Sequence, residues 1–128
     1  MPLFLALLAA AVLPGPISGD FDHDGKADTA RILRAGERGY VLEISRGAAP
    51  KAPVRIELRR YPPNYMVPAE NSGAVATSCG KGVGARTEPC PRASVRVTRG
   101  DLLFGSAEAS EAVLTWDGRT FRQDWLSD

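Results

Sequence analysis

Apolar and polar side chains alternate one by one along much of this chain, the period of a strand with one face buried and the other wet. Val54-Arg55-Ile56-Glu57-Leu58-Arg59 is the clearest run. Tyr40, Leu42 and Ile44 repeat the pattern upstream, and Val95 and Val97 alternate with Arg96 and Thr98 downstream. Shorter strands are predicted over 29–33, 102–105, 112–116 and 120–125. No stretch carries the 3.6-residue spacing of an amphipathic helix. Turn chemistry separates the runs: Ala35-Gly36-Glu37-Arg38-Gly39, Gly47-Ala48-Ala49-Pro50, Arg99-Gly100-Asp101, and Asp117-Gly118, a strong hairpin signal. Short consecutive strands joined by tight turns imply an all-β fold, an antiparallel meander of about six or seven strands closing into a small sandwich or curled sheet.

The rhythm stops between residues 61 and 91, a stretch that holds Pro62, Pro63, Pro68, Pro89 and Pro91. It is expected to be an irregular excursion, and long irregular segments in compact domains are usually functional or mobile. Cys79 and Cys90 lie in its second half and are expected to form one disulfide that pins it. Zinc is a poor alternative, because only His23 could join the two thiols as a third ligand.

Residues 1–19 read as a cleaved signal peptide: Pro2 to Leu13 is uncharged and apolar, and a breaker, Pro14-Gly15-Pro16, precedes the small residues Ser18 and Gly19. The apolar run is shorter than the roughly 20 residues that a membrane span needs. What remains, residues 20–128, is enough for one β domain and not two. A periplasmic or secreted location follows, and it permits the disulfide.

The most specific chemistry begins at that boundary. Asp20-Phe21-Asp22-His23-Asp24-Gly25-Lys26-Ala27-Asp28 places carboxylates at i, i+2, i+4 and i+8 with a glycine at i+5. A hard cation such as Ca²⁺ takes six to eight oxygens at about 2.3–2.6 Å, and this spacing lets one short loop supply them. Asp20, Asp22, Asp24 and Asp28 are the candidate side-chain ligands and Lys26 the candidate carbonyl ligand. The loop is not an EF-hand, since Arg31 stands at the twelfth position where a bidentate Glu belongs. It resembles the calcium loop of FG-GAP and VCBS repeats in secreted bacterial proteins, D-F-D-G-D-G-x-x-D before an apolar strand. His23 stands where that pattern has Gly.

Catalytic motifs are not assembled. Gly80-Lys81-Gly82-Val83-Gly84-Ala85 matches a dinucleotide-binding pattern formally, but Pro89 and Pro91 exclude the helix that such a site needs. Ser78-Cys79-Gly80-Lys81 lacks the partner motifs of S-x-x-K enzymes, and the sole imidazole sits inside the acidic loop. The expectation is therefore not an enzyme. Net charge is +1, yet residues 31–100 carry thirteen basic and five acidic side chains. In an exported chain, that excess suits an exported protein or an acidic glycan as partner better than nucleic acid. Arg59, Arg60, Tyr61, Asn64 and Tyr65 are the candidate partner-binding residues, and Trp116, Trp125, Phe121 and Phe104 are assigned to the core.

Cys79-Gly80-Lys81-Gly82-Val83-Gly84, Phe104-Gly105-Ser106-Ala107-Glu108 and the closing Trp116-Asp117-Gly118 through Phe121, Trp125, Ser127 and Asp128 resemble a family of small exported bacterial proteins of unassigned activity. The resemblance implies a shared fold and an exported location. The function expected from all of these features is a monomeric, non-catalytic binding module with a structural Ca²⁺ site. The alternative is an inhibitor or immunity protein that docks its 61–91 loop into an exported enzyme.

Overall fold

The computed structural model of the chain describes residues 13–37, 39–58, 62–82, 90–106 and 110–127. These residues form ten antiparallel strands and no helix: β1 (Ile17–Gly19), β2 (Asp28–Ala35), β3 (Gly39–Arg46), β4 (Ala49–Leu58), β5 (Tyr65–Pro68), β6 (Gly73–Ala76), β7 (Ser94–Val97), β8 (Leu102–Gly105), β9 (Glu111–Trp116) and β10 (Phe121–Ser127). The all-β, antiparallel expectation holds. The strand count was underestimated, because β1, β5 and β6 have three or four residues each and are too short to show a period.

Sheet A is a simple meander, β1-β2-β3-β4, and sheet B has the order β10-β9-β8-β5. Between them lies the main core, with Ala30, Ile32, Leu42, Ile44 and Leu58 from sheet A against Met66, Leu102, Phe104, Ala112, Leu114 and Phe121 from sheet B. The alternation read from the sequence positions these residues: Ile32 pairs with Leu42, and Leu42 with Ile56, so one face of three strands is apolar in register. A two-stranded ribbon, β6-β7, covers the other face of sheet B, where Val95 and Val97 pack with Val113 and Leu126. The 61–91 excursion is thus not irregular throughout. Its described part supplies one strand to sheet B and one to the ribbon.

The outer face of sheet A carries a cross-strand charge ladder. Glu43 in β3 stands opposite Arg31 in β2 and Arg55 in β4, accepting from Arg31 Nε at 3.0 Å and Arg55 Nε at 2.9 Å. The two arginines cover it, so its side chain is 4 % exposed although it faces outward. Part of the basic excess of the sequence is spent here. The Arg31 and Arg55 hydrogen bonds hold the Glu43 carboxyl below the usual glutamate range. A depressed folded pKa means stability that is present above the ordinary value of 4.5 and lost as pH falls through the folded value. Both arginines are more than half exposed, so solvent screening limits the net effect. Glu43→Gln is expected to cost about 1 kcal/mol at about pH 7 and almost nothing at about pH 3, measured by urea unfolding at each pH.

Exposed sheet edges are blunted. β4, at one edge of sheet A, carries Pro50, Pro53, Lys51 and Arg55, devices that disfavour pairing with another chain. β10, at an edge of sheet B, is covered by the chain that leads into the disulfide: Ser78 N–H donates to the Trp125 carbonyl at 2.8 Å and Lys81 Nζ to the Leu126 carbonyl at 2.6 Å. Asp117-Gly118 does open the β9-β10 turn, but the last pair is Trp116 with Phe121, leaving a four-residue loop. Asp117 Oδ1 holds it by accepting from Arg119 N–H and Thr120 N–H, both at 2.8 Å. No helix of the described residues is long and apolar enough to cross a membrane.

Candidate metal centre

Residues 20–28 connect β1 to β2 and fold around their own carboxylates. Asp20 Oδ1 accepts from Asp24 N–H at 3.0 Å and its Oδ2 from Gly25 N–H at 2.8 Å. Asp22 Oδ1 accepts from Asp24 N–H at 3.3 Å, and Asp24 Oδ1 from Lys26 N–H at 2.9 Å. Such local bonds are the turn chemistry that Asp favours. Gly25 takes φ +88° and His23 takes φ +59°, the left-handed region. The position where the calcium-loop pattern has Gly is thus one that demands glycine-like backbone.

Asp28, the first residue of β2, is the keystone. It is 1 % exposed, and its Oδ2 accepts from Phe21 N–H at 2.8 Å and Asp22 N–H at 3.2 Å, while Oδ1 accepts from Gly47 N–H at 2.8 Å. Burial pushes its pKa up, the three amides oppose that, and the nearby Asp22 charge adds to it. Gly47 belongs to the tight β3-β4 turn, where Arg46 pairs with Ala49. A Cβ there would lie 2.4 Å from the Ala27 carbonyl oxygen, so only glycine lets the turn reach the loop.

Asp20, Asp22 and Asp28 each present a carboxylate oxygen within 4.8 Å of the other two. Two ligands on one Ca²⁺ at about 2.4 Å each are at most about 4.8 Å apart, so the three fit around one such ion. Without a cation, unit charges at that spacing repel by about 3–4 kcal/mol per pair at an effective dielectric of about 20. One fixed cation offsets part of this: Arg46 Nε lies 2.7 Å from Asp22 Oδ2 and its guanidinium sits 4.2 Å over the Trp116 ring. Asp24 is exposed and lies outside the three-carboxylate group among the described residues. Its first role here is to order the turn at Lys26.

His23 reaches outward from the loop to the turn before β8. Its Nε2 is 2.6 Å from Asp101 Oδ1, and Asp101, 2 % exposed, also accepts from Thr98 N–H at 2.7 Å. The acidic loop is therefore tied to sheet A through Gly47 and to the rest of the molecule through Asp101. Neither link was legible from the sequence, since each joins separate segments of the chain and the sequence marks Gly47 and Asp101 only as turn residues.

The remaining expected site residues are distributed differently. Cys79 and Cys90 are joined, with Cα atoms 5.5 Å apart. Arg59, Arg60 and Tyr61 lie outside the described residues. Asn64 donates its N–H to the Gly105 carbonyl at 2.9 Å, and the Tyr65 hydroxyl donates to Glu111 Oε2 at 2.6 Å. Burial and that carboxylate hold the Tyr65 phenol protonated well above its usual range. The Tyr65 hydroxyl is thus committed to the fold. No protein-family model, curated protein or solved structure matches the chain.

Proposed function

We propose that this chain is an exported, non-catalytic binding module whose 20–28 loop holds one structural Ca²⁺. The observation that carries the reading is the convergence of Asp20, Asp22 and Asp28 at the head of β2, within a D-x-D-x-D-G-x-x-D run. Asp24 and the Lys26 carbonyl would complete the ligand set in this reading. The disulfide fits an oxidising compartment. Export by a cleaved leader belongs to the same reading, with one refinement. Ile17–Gly19 pairs with 28–30 of β2, so cleavage before Ile17 would keep β1 in the mature fold, whereas cleavage after Gly19 would remove it.

Ca²⁺ that binds only the folded state adds RT ln(1 + [L]/Kd) to stability. For an extracellular-type affinity of about 10⁻⁴–10⁻³ M, about 1 mM Ca²⁺ should add about 0.4–1.4 kcal/mol. The test is a thermal melt of the oxidised chain in Ca²⁺, in Mg²⁺ and in chelator. A rise in Tm selective for Ca²⁺ and lost in Asp24→Ala is the expected result. Equal melts in all three media would remove the cation from the reading.

A further inference from the structure

We propose that the export leader is removed upstream of Leu13, at the Ala11–Val12 bond, and that residues 13–19 are a built part of the mature molecule. The inference rests on the export reading and fixes where its cut falls. β1 is seated in the fold. Ile17 stands opposite Ala30, Ser18 opposite Thr29 and Gly19 opposite Asp28, and Leu13 and Ile17 are half-buried against the main core. Gly19 meets the fully buried Phe21 so closely that a Cβ at position 19 would lie 2.8 Å from its ring. The strand also lies beside β5 of sheet B, at one flank of the sandwich.

A cut after Gly19, the boundary expected from the sequence, would undo each of these. It would strip two apolar side chains from the core, uncover one side of Phe21 and turn the eight-residue β2 into an open edge. It would also leave a new α-amino group, largely charged at about pH 7, on Asp20 inside the proposed ligand set. The cut therefore precedes Leu13, and the sequence offers a bond there. Ala9 and Ala11 are small residues at the third and first positions before the Ala11–Val12 bond. Ahead of them, the eight uncharged residues Leu3 to Ala10 match the roughly 7–15 of a leader's apolar segment. Gly19 is small for another reason, the close approach of Phe21. The step is hydrolysis by the peptidase of the export machinery: the Ala11–Val12 C–N bond breaks, the Ala11 carbonyl carbon takes the hydroxyl of water and the Val12 nitrogen takes its proton.

The test is intact-mass analysis of the full chain, residues 1–128, expressed in a Gram-negative host and fractionated into periplasm and cytoplasm, with free thiols trapped to read the disulfide. The expected product is periplasmic and oxidised and begins at Val12. Ala11→Leu should abolish that product, and Ser18→Leu should leave it unchanged. An oxidised periplasmic product that begins at any other residue, Asp20 above all, would overturn the proposal and leave the export reading standing. So would an oxidised periplasmic chain that is uncut, or cleavage lost in Ser18→Leu and kept in Ala11→Leu. A reduced, uncut chain confined to the cytoplasm would overturn the export reading and the proposal with it. The seating of β1 has its own readout. In the mature chain, Ile17→Asp should lower Tm by about 4 °C or more, and Ser18→Asp, exposed on the same strand, by much less. Equal melts for the two variants would show that the strand contributes nothing to the fold and would remove the reason for an upstream cut.

Discussion

Replacing Asp28 with alanine is expected to destabilise the fold by about 3–5 kcal/mol even in chelator, because one carboxylate serves three backbone amides that no other described group reaches. Hydrogen bonds to a charged acceptor are worth about 1.5–3 kcal/mol each, and the raised pKa of Asp28 records that burial takes back part of that gain. Asp24→Ala removes a single exposed bond to Lys26 N–H and should cost less than about 1 kcal/mol without metal. The pair therefore separates two roles in one motif. Urea unfolding in chelator should show a large deficit for Asp28→Ala and almost none for Asp24→Ala; equal deficits would mean that the loop is held by something other than the Asp28 cradle.

Reducing the Cys79–Cys90 bond should cost about 2–3 kcal/mol on chain entropy, given eleven residues of separation. A second effect follows from what the bridge anchors. Thr77 N–H donates to the Ala93 carbonyl at 3.0 Å and the Thr77 hydroxyl to the Arg92 carbonyl at 2.6 Å, so the bridged ends stay together and present Ser78 and Lys81 to the edge of β10. Loss of that cover frees the backbone of β10 for pairing with a second chain. Light scattering of the Cys79→Ser/Cys90→Ser double variant at raised temperature should show association that the oxidised chain lacks. A monodisperse double variant with an unchanged midpoint would refute both parts.

How much of this was legible depends on range. The long strands of sheet A were readable because Ile44 and Ile56 alternate with polar neighbours in runs long enough to reveal a period. β5 was not, because four residues ending in Pro68 carry no statistical signature and are strand only by pairing with β8. The acidic run named three residues that do converge, yet nothing in its spacing signals that Arg46 pairs with one of them from 24 positions away. Trp125, 43 % exposed, was misassigned to the core for a related reason. Its alternation places it correctly on the inward face, but whether the opposite sheet extends far enough to cover that face is a matter of tertiary geometry.

The His23–Asp101 contact joins residues 78 positions apart, and that separation bears on order in time. In a chain that emerges N-terminus first, the acidic loop is free of the ribosome or translocon long before its anchor exists. Long-range contacts of this kind form late, after the entropy of closing the intervening chain has been met by other pairings. The His23–Asp101 tie is then made after the folding barrier, and whatever strengthens it slows unfolding while leaving the folding rate almost untouched. The tie acts as a lock on the finished molecule, whereas the Asp28 cradle, built from contacts 6 to 19 positions apart, needs no such wait.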